Sequence, residues 1–220
     1  MKRWFRSNSL SVVVLAVFAL LWIGQTWTGW HSYNEERLER GAAILSLSAY
    51  LTSGHFAEAT SENWESEFLQ MAAYVLLTVF LRQKGSAESK SLDKEEAVDR
   101  DPRLDRNKRG APYPVRKGGW LLKLYEYSLS VALFAMFSLA LMWHMIGGHE
   151  LENEERIING LAPITIGQYV SSPDFWFQSF QNWQSEFLAV AAIVILSIWL
   201  RQRGSPESKP VSAPHHQTGE

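Results

Sequence analysis

Asn63–Leu69 reads NWESEFL and Asn182–Leu188 reads NWQSEFL, and each heptad stands directly ahead of an apolar run. Adding 119 to every number from Asn8 to Lys90 aligns that segment with Tyr127 to Lys209 without a gap, and 35 of the 83 positions are identical. The densest block, Asn63–Lys90 against Asn182–Lys209, keeps 18 of 28 and ends in LRQKGSAESK and LRQRGSPESK. Self-similarity at a fixed offset marks a duplicated structural module. The chain is therefore expected to hold two copies of one unit.

The unit is apolar in blocks. Ser7–Trp30 and Tyr127–Gly148 are runs of 24 and 22 residues without a formal charge, and about 20 such residues span a bilayer. The shorter runs, Phe68–Leu81 and Phe187–Leu200, hold 14 residues each. That is only ~21 Å of helix against a ~30 Å hydrocarbon core. Extended backwards through NWxSEF, each reaches 19 residues. A mean hydropathy of −0.14 hides this bunching.

Placement of charge predicts that the shorter runs cross as well. With both chain ends and the middle of the chain on one side, that side holds 18 of the 21 Lys and Arg, leaving Arg37, Arg40 and Arg156 opposite. This is the positive-inside distribution. The copy of the first apolar run lies mid-chain, so the first run is expected to be a retained helix rather than a cleaved signal peptide.

The predicted fold is all-α: an integral membrane protein of four transmembrane helices, arranged as two tandem hairpins in parallel repeat. Its segments are a first hairpin over 1–90, a disordered charged cytoplasmic linker over 91–119, a second hairpin over 120–209 and a disordered tail over 210–220. The crossings are placed at Ser9–Trp30, Asn63–Leu81, Leu122–Gly147 and Asn182–Leu200, with Gly29 and Gly148 at helix C-termini. The outside loops, 38–60 and 157–180, are expected to form interfacial elements. For the first, Ile44, Leu47 and Leu51 make a helical face; for the second, Pro163 and ITIGQYV favour a turn and an extended segment.

Several residues are candidates for more than structure. Asn63 and Asn182 suit helix N-caps. Glu67 and Glu186 remain acidic in both copies, whereas Glu65 is replaced by Gln184. A carboxylate near the bilayer is costly unless paired, solvated or protonated, so Glu67 and Glu186 form either a capped, dipole-compensating helix start or a shared cation or proton site. From the repeated NEER, Glu36, Arg37, Glu155 and Arg156 are expected to start an interfacial helix or to pair with those carboxylates. Trp64, Trp183, Arg82 and Arg201 are expected to anchor the interfaces, the tryptophans outside and the arginines inside. HELENEE (His149–Glu155) has metal-ligand residue types, but the first copy does not repeat them, and a solvated acidic loop is expected. The basic cluster from Arg106 to Lys117 serves topology first and anionic headgroups second.

The gap-free duplication, NEER, NW[EQ]SEFL and LRQ[KR]GS[AP]ESK together resemble a family of small bacterial membrane proteins known as a domain of unknown function. The resemblance covers nearly the whole chain and implies a bacterial cytoplasmic (inner) membrane location with both termini cytoplasmic. It brings no catalytic residue, ligand or cofactor. A proline after NEERxxxG is expected of both copies, and only the second has it, at Pro163.

With no Cys, no disulfide or thiolate site is available, and no nucleophile elbow, phosphate loop, HExxH or CxxC occurs. The expected function is non-enzymatic interaction or envelope maintenance, with no cofactor. The partners would be the lipid bilayer and either a second copy or another membrane protein, and no nucleic acid. The alternative is a small oligomeric transporter or channel subunit using Glu67 and Glu186.

Overall fold

The computed structural model describes residues 2–219; Met1, Glu220 and the side chains of Lys2 and Arg3 lie outside it. The described residues are helical and without strands. In order come α1 (Lys2–Glu39), α2 (Leu47–Tyr50), α3 (Gly54–Phe80), α4 (Tyr113–Lys117), α5 (Gly119–Glu126), α6 (Ser128–Ile158), α7 (Ile166–Val170) and α8 (Pro173–Leu196). Two 3-10 turns, Ala97–Asp99 and Pro102–Asp105, precede α4. Contacts gather into two units, residues 1–61 with 142–176 and residues 62–141 with 177–220.

Trp4–Glu39 and Ser128–Ile158 are long and apolar enough to cross a membrane. Burial is inverted relative to a water-soluble domain. On α1, Leu10 is 77% exposed, and Leu15, Leu20, Leu21 and Ile23 are exposed with it. Meanwhile Thr60, Ser61, Glu65, Ser66 and Gln70 of α3 are buried, as is His144 of α6.

The long helices start and stop elsewhere than the sequence predicts. Gly29 and Gly148 are not helix ends: α1 and α6 run on to Glu39 and Ile158. The terminating glycines are Gly41 (φ 74°) and Gly160 (φ 70°), in the left-handed region that a side chain disfavours. At each, the glycine N–H bonds the carbonyl three residues back, and the next N–H bonds that of Arg37 or Arg156, five back. That is a Schellman C-cap, repeated.

Asn63 and Asn182 are likewise not N-caps. The Ser53 and Ser172 hydroxyls accept from the N–H groups of Phe56 and Phe175, both at 3.3 Å. The helices thus begin nearly ten residues earlier, which lengthens both. The third long helix starts later than Leu122: the chain bends at Tyr127 (φ −109°, ψ 6°), separating α5 from α6.

Within the first unit, Tyr33, Tyr50 and Phe56 form the core, with Trp22, Trp30, Leu45, Trp143 and Leu151 packed on it. The second loop adds Tyr169 and Phe175. Tyr50 meets Phe56 edge-on at 5.6 Å and 67°, and Tyr169 meets Phe175 at 5.5 Å and 66°. The start of α3 crosses α6 closely. A Cβ on Gly54 would lie 2.6 Å from the Gly147 carbonyl, and one on Gly147 would lie 2.5 Å from the Ala57 Cβ. Only small residues permit that approach.

Candidate functional site

NEER builds a loop clamp, twice. The Asn34 amide accepts from Leu45 N–H (2.7 Å) and donates to the same residue's carbonyl (3.0 Å). Asn153 does the same to Ile164, at 2.7 and 3.0 Å. Arg37 Nε donates to the Ala43 carbonyl (2.7 Å), and Arg156 Nε to the Ala162 carbonyl (2.8 Å). Trp30 Nε1 reaches the Leu45 carbonyl at 2.8 Å, and His149 takes its place at the Ile164 carbonyl, also at 2.8 Å. The clamp folds each loop back over its helix. Ser46 and Thr165 then cap α2 and α7, the latter through a complete capping box with Gln168. That box makes Ile166–Val170 helical where the sequence favours an extended segment.

The charges of the two NEER copies meet in one direction. Arg37 pairs with Glu154, whose other oxygen accepts from the Tyr33 hydroxyl at 2.8 Å. Arg40 pairs with Glu155 at 2.8 Å. Among the described residues no pair runs the other way: Arg156 turns to Glu152 on its own helix, at 3.4 Å, and the counterpart of Arg40 is the uncharged Asn159. Glu36 stays exposed. His55, in the first turn of α3, shares a 3.2 Å hydrogen bond with the Tyr50 hydroxyl. Burial pushes its pKa below the usual imidazole value, while the Glu36 and Glu155 carboxylates pull it up.

The paired heptads divide their roles unexpectedly. Glu65, the position not kept acidic in both copies, is the buried one, 0% exposed. Its Oε1 accepts from the Trp183 indole N–H at 2.9 Å, and Trp183 also lies edge-on to Phe180 and Phe137. Glu67 is exposed and Glu186 half-buried, and Glu67 acts on Glu186 as a like charge. Arg37, the expected partner of these carboxylates, is engaged by Glu154. Asn63 is exposed and Asn182 half-buried; their carbonyls accept from Ser66 and Ser185, both at 2.8 Å. Trp64 is half-buried.

RQxGSxESK is a helix-ending device. The Arg82 guanidinium folds back on the Thr78, Val79 and Leu81 carbonyls, and Arg201 on those of Ser197, Ile198 and Leu200. Ser89 and Ser208 accept from the N–H groups of Gln83 and Gln202, both at 2.9 Å. Each guanidinium thus gathers backbone carbonyls in and just past the last turn, and each serine hydroxyl takes the glutamine N–H beyond it. The tail then straps the two ends together. Lys209, only 2% exposed, donates to the carbonyls of Gly85, His215 (3.1 Å) and Gln217 (2.8 Å). Gly85 N–H bonds Thr218 Oγ1 at 2.9 Å, and Gly219 N–H bonds the Ser86 carbonyl at 3.0 Å. Ser86 and Ser197 share a hydroxyl–hydroxyl bond of 3.0 Å.

Sequence reasoning passed over Glu65, Asn34, Asn153, Tyr50, Tyr169, Ser53 and Ser172. A signal existed for all but Glu65, since the others are identical between copies. Among the described residues, no three His, Asp or Glu side chains gather as metal ligands. The arrangement holds loops and helix ends in place, and it buries one carboxylate beside an indole.

The whole chain, residues 1–220, matches the family described as a domain of unknown function, DUF6766, and belongs to it. No curated protein and no solved structure matches the chain.

Proposed function

We propose, taking membership of that family as the premise, that the chain is a multi-pass protein of a bacterial cytoplasmic membrane. It crosses four times as two tandem hairpins, with α1, α3, α6 and α8 as the spans and both termini and the linker in the cytoplasm. It acts without catalysis, as an interaction or envelope-maintenance component that displays the two clamped loops outside. The observation that carries this reading is the inverted burial. Leu76, Leu77 and Phe80 of α3 and Leu188, Ile193 and Ile195 of α8 are exposed, like the apolar residues of α1. So large an exposed apolar surface needs lipid or protein against it.

Because the chain has no Cys, single introduced cysteines test the layout. Thiols at Ser91 and Ser212 should react with an impermeant maleimide only after the membrane is opened, and thiols at Ala42 and Leu161 should react from outside. Ser91 and Ser212 on opposite sides would overturn the layout. The interaction role predicts a stable partner, either another copy or a second protein, recovered by cross-linking in native membranes. A protein found only as an isolated monomer would overturn that role.

Burial of Glu65 favours a second reading, a small transporter or channel subunit with the heptad carboxylates as its cation or proton site. An ionisable group inside a membrane segment is costly and is kept for function. This reading predicts a proton or cation flux in proteoliposomes that Glu65→Gln, Glu67→Gln and Glu186→Gln together abolish. Wild-type flux equal to that of empty vesicles would remove it.

A further inference from the structure

We propose that the α4–α5 hairpin is a docking surface for anionic lipid headgroups, laid against the cytoplasmic leaflet beside the start of α6; this rests on the membrane reading above. The hairpin is folded on one side and bare on the other. Ala111, Val115 and Leu122 bury together, with Leu122 at 4% exposure. They fix α4 and α5 against each other across Gly118 and Gly119, both at positive φ. Arg106 Nε ties the preceding turn to the Arg116 carbonyl at 2.8 Å.

The opposite side carries Trp120 and Leu124, spaced i, i+4 on one helical face, with Tyr127 following at the bend that ends α5. Trp120 is 72% exposed, and Leu124, Tyr127 and Tyr113 are exposed with it. An apolar stripe of this kind, ending in Trp and Tyr, suits the headgroup boundary. Charge selects the occupant. From Arg106 to Glu126 the sequence holds Arg106, Lys108, Arg109, Arg116, Lys117 and Lys123 against one acid, Glu126 at the end of α5. The acids just upstream are already engaged: Asp99 with Lys90, Asp101 with Arg103 and Asp105 with Arg100. Basic residues before and within an exposed aromatic stripe match a negative leaflet, which attracts such segments from within a screening length. Continuity fixes the place, because Tyr127 leads directly into α6, long and apolar enough to cross.

The test uses the full chain, with single cysteines at Leu124 or Trp120 labelled with an environment-sensitive fluorophore. The protein is reconstituted in phosphatidylcholine vesicles, with or without phosphatidylglycerol, and quenched by a lipid spin-labelled near the headgroup. A cysteine at Leu15 with a deep spin label serves as the control. Quenching at both hairpin positions should be roughly twofold stronger in anionic vesicles and should fall back in high salt. Changing Lys108, Arg109, Arg116 and Lys117 to Gln should abolish the difference. With Leu15 quenched, equal quenching in the two vesicle types, or none in either, overturns the proposal and leaves the membrane reading standing. An unquenched Leu15 overturns the membrane reading itself.

Discussion

The phenolic oxygen of Tyr50 occupies the space that a β-carbon on Gly29 would fill, and Tyr169 stands in the same relation to Gly148. A glycine in mid-helix costs about 1 kcal/mol relative to alanine, and here it makes room for the tyrosine that closes the loop. Gly29→Ala and Gly148→Ala should therefore destabilise rather than stabilise, by about 1–3 kcal/mol each as overpacking does. Thermal unfolding in detergent checks this. Adding Tyr50→Phe to Gly29→Ala should recover part of the loss, since only the hydroxyl clashes.

Asn34→Ala and Asn153→Ala should free the loops that follow α1 and α6 while leaving the helices intact. Each substitution removes two hydrogen bonds and strands a backbone N–H, at about 1–3 kcal/mol. Hydrogen exchange at the Leu45 and Ile164 amides should accelerate by one to two orders of magnitude, by that same free energy. Unchanged exchange would show that the clamp is idle.

The helix starts give a sharper contrast. Ser53→Ala and Ser172→Ala should cost about 1 kcal/mol, the usual loss at an N-cap. Asn63→Ala, at an exposed position inside α3, should stay within about 0.5 kcal/mol. Equal losses at Ser53 and Asn63 would restore the later helix start that the sequence suggested.

Acidification should loosen the first loop. The His55 pKa is held below its unfolded value near 6.5, chiefly by burial. Its contribution is therefore complete above about pH 6.5 and is lost as pH falls through the folded-state value. Protease cutting near Thr52 should rise on going from neutral to mildly acidic pH, and His55→Gln should flatten that rise. A pH-independent cutting rate in the wild type would refute the assignment.

Much of the architecture was readable because duplication acts as an internal control. The register of 119 predicts that whatever Asn34 does, Asn153 does, and the clamps, caps and Schellman turns obey it. Helix boundaries depart from the residue-type signals for a local reason. Asn63 and Gly29 carry the residue types of caps, yet Ser53 and Gly41 hold those roles, and residue type alone does not rank two candidates on one helix. Glu65 was discounted because its copy is Gln184. The logic of repetition fails where the halves have specialised, as they have at Tyr33, which bonds Glu154, and its counterpart Glu152, which pairs with Arg156. The contacts of Lys209 were not legible, because a cationic side chain held by three carbonyls from distant turns leaves no periodic trace.

The strap formed by Lys209, Thr218 and Gly219 also orders events in biogenesis. Its Lys209 contact closes on Gly85, 124 residues earlier in the chain, so the turn that follows α3 stays open until residues 209–219 have been synthesised.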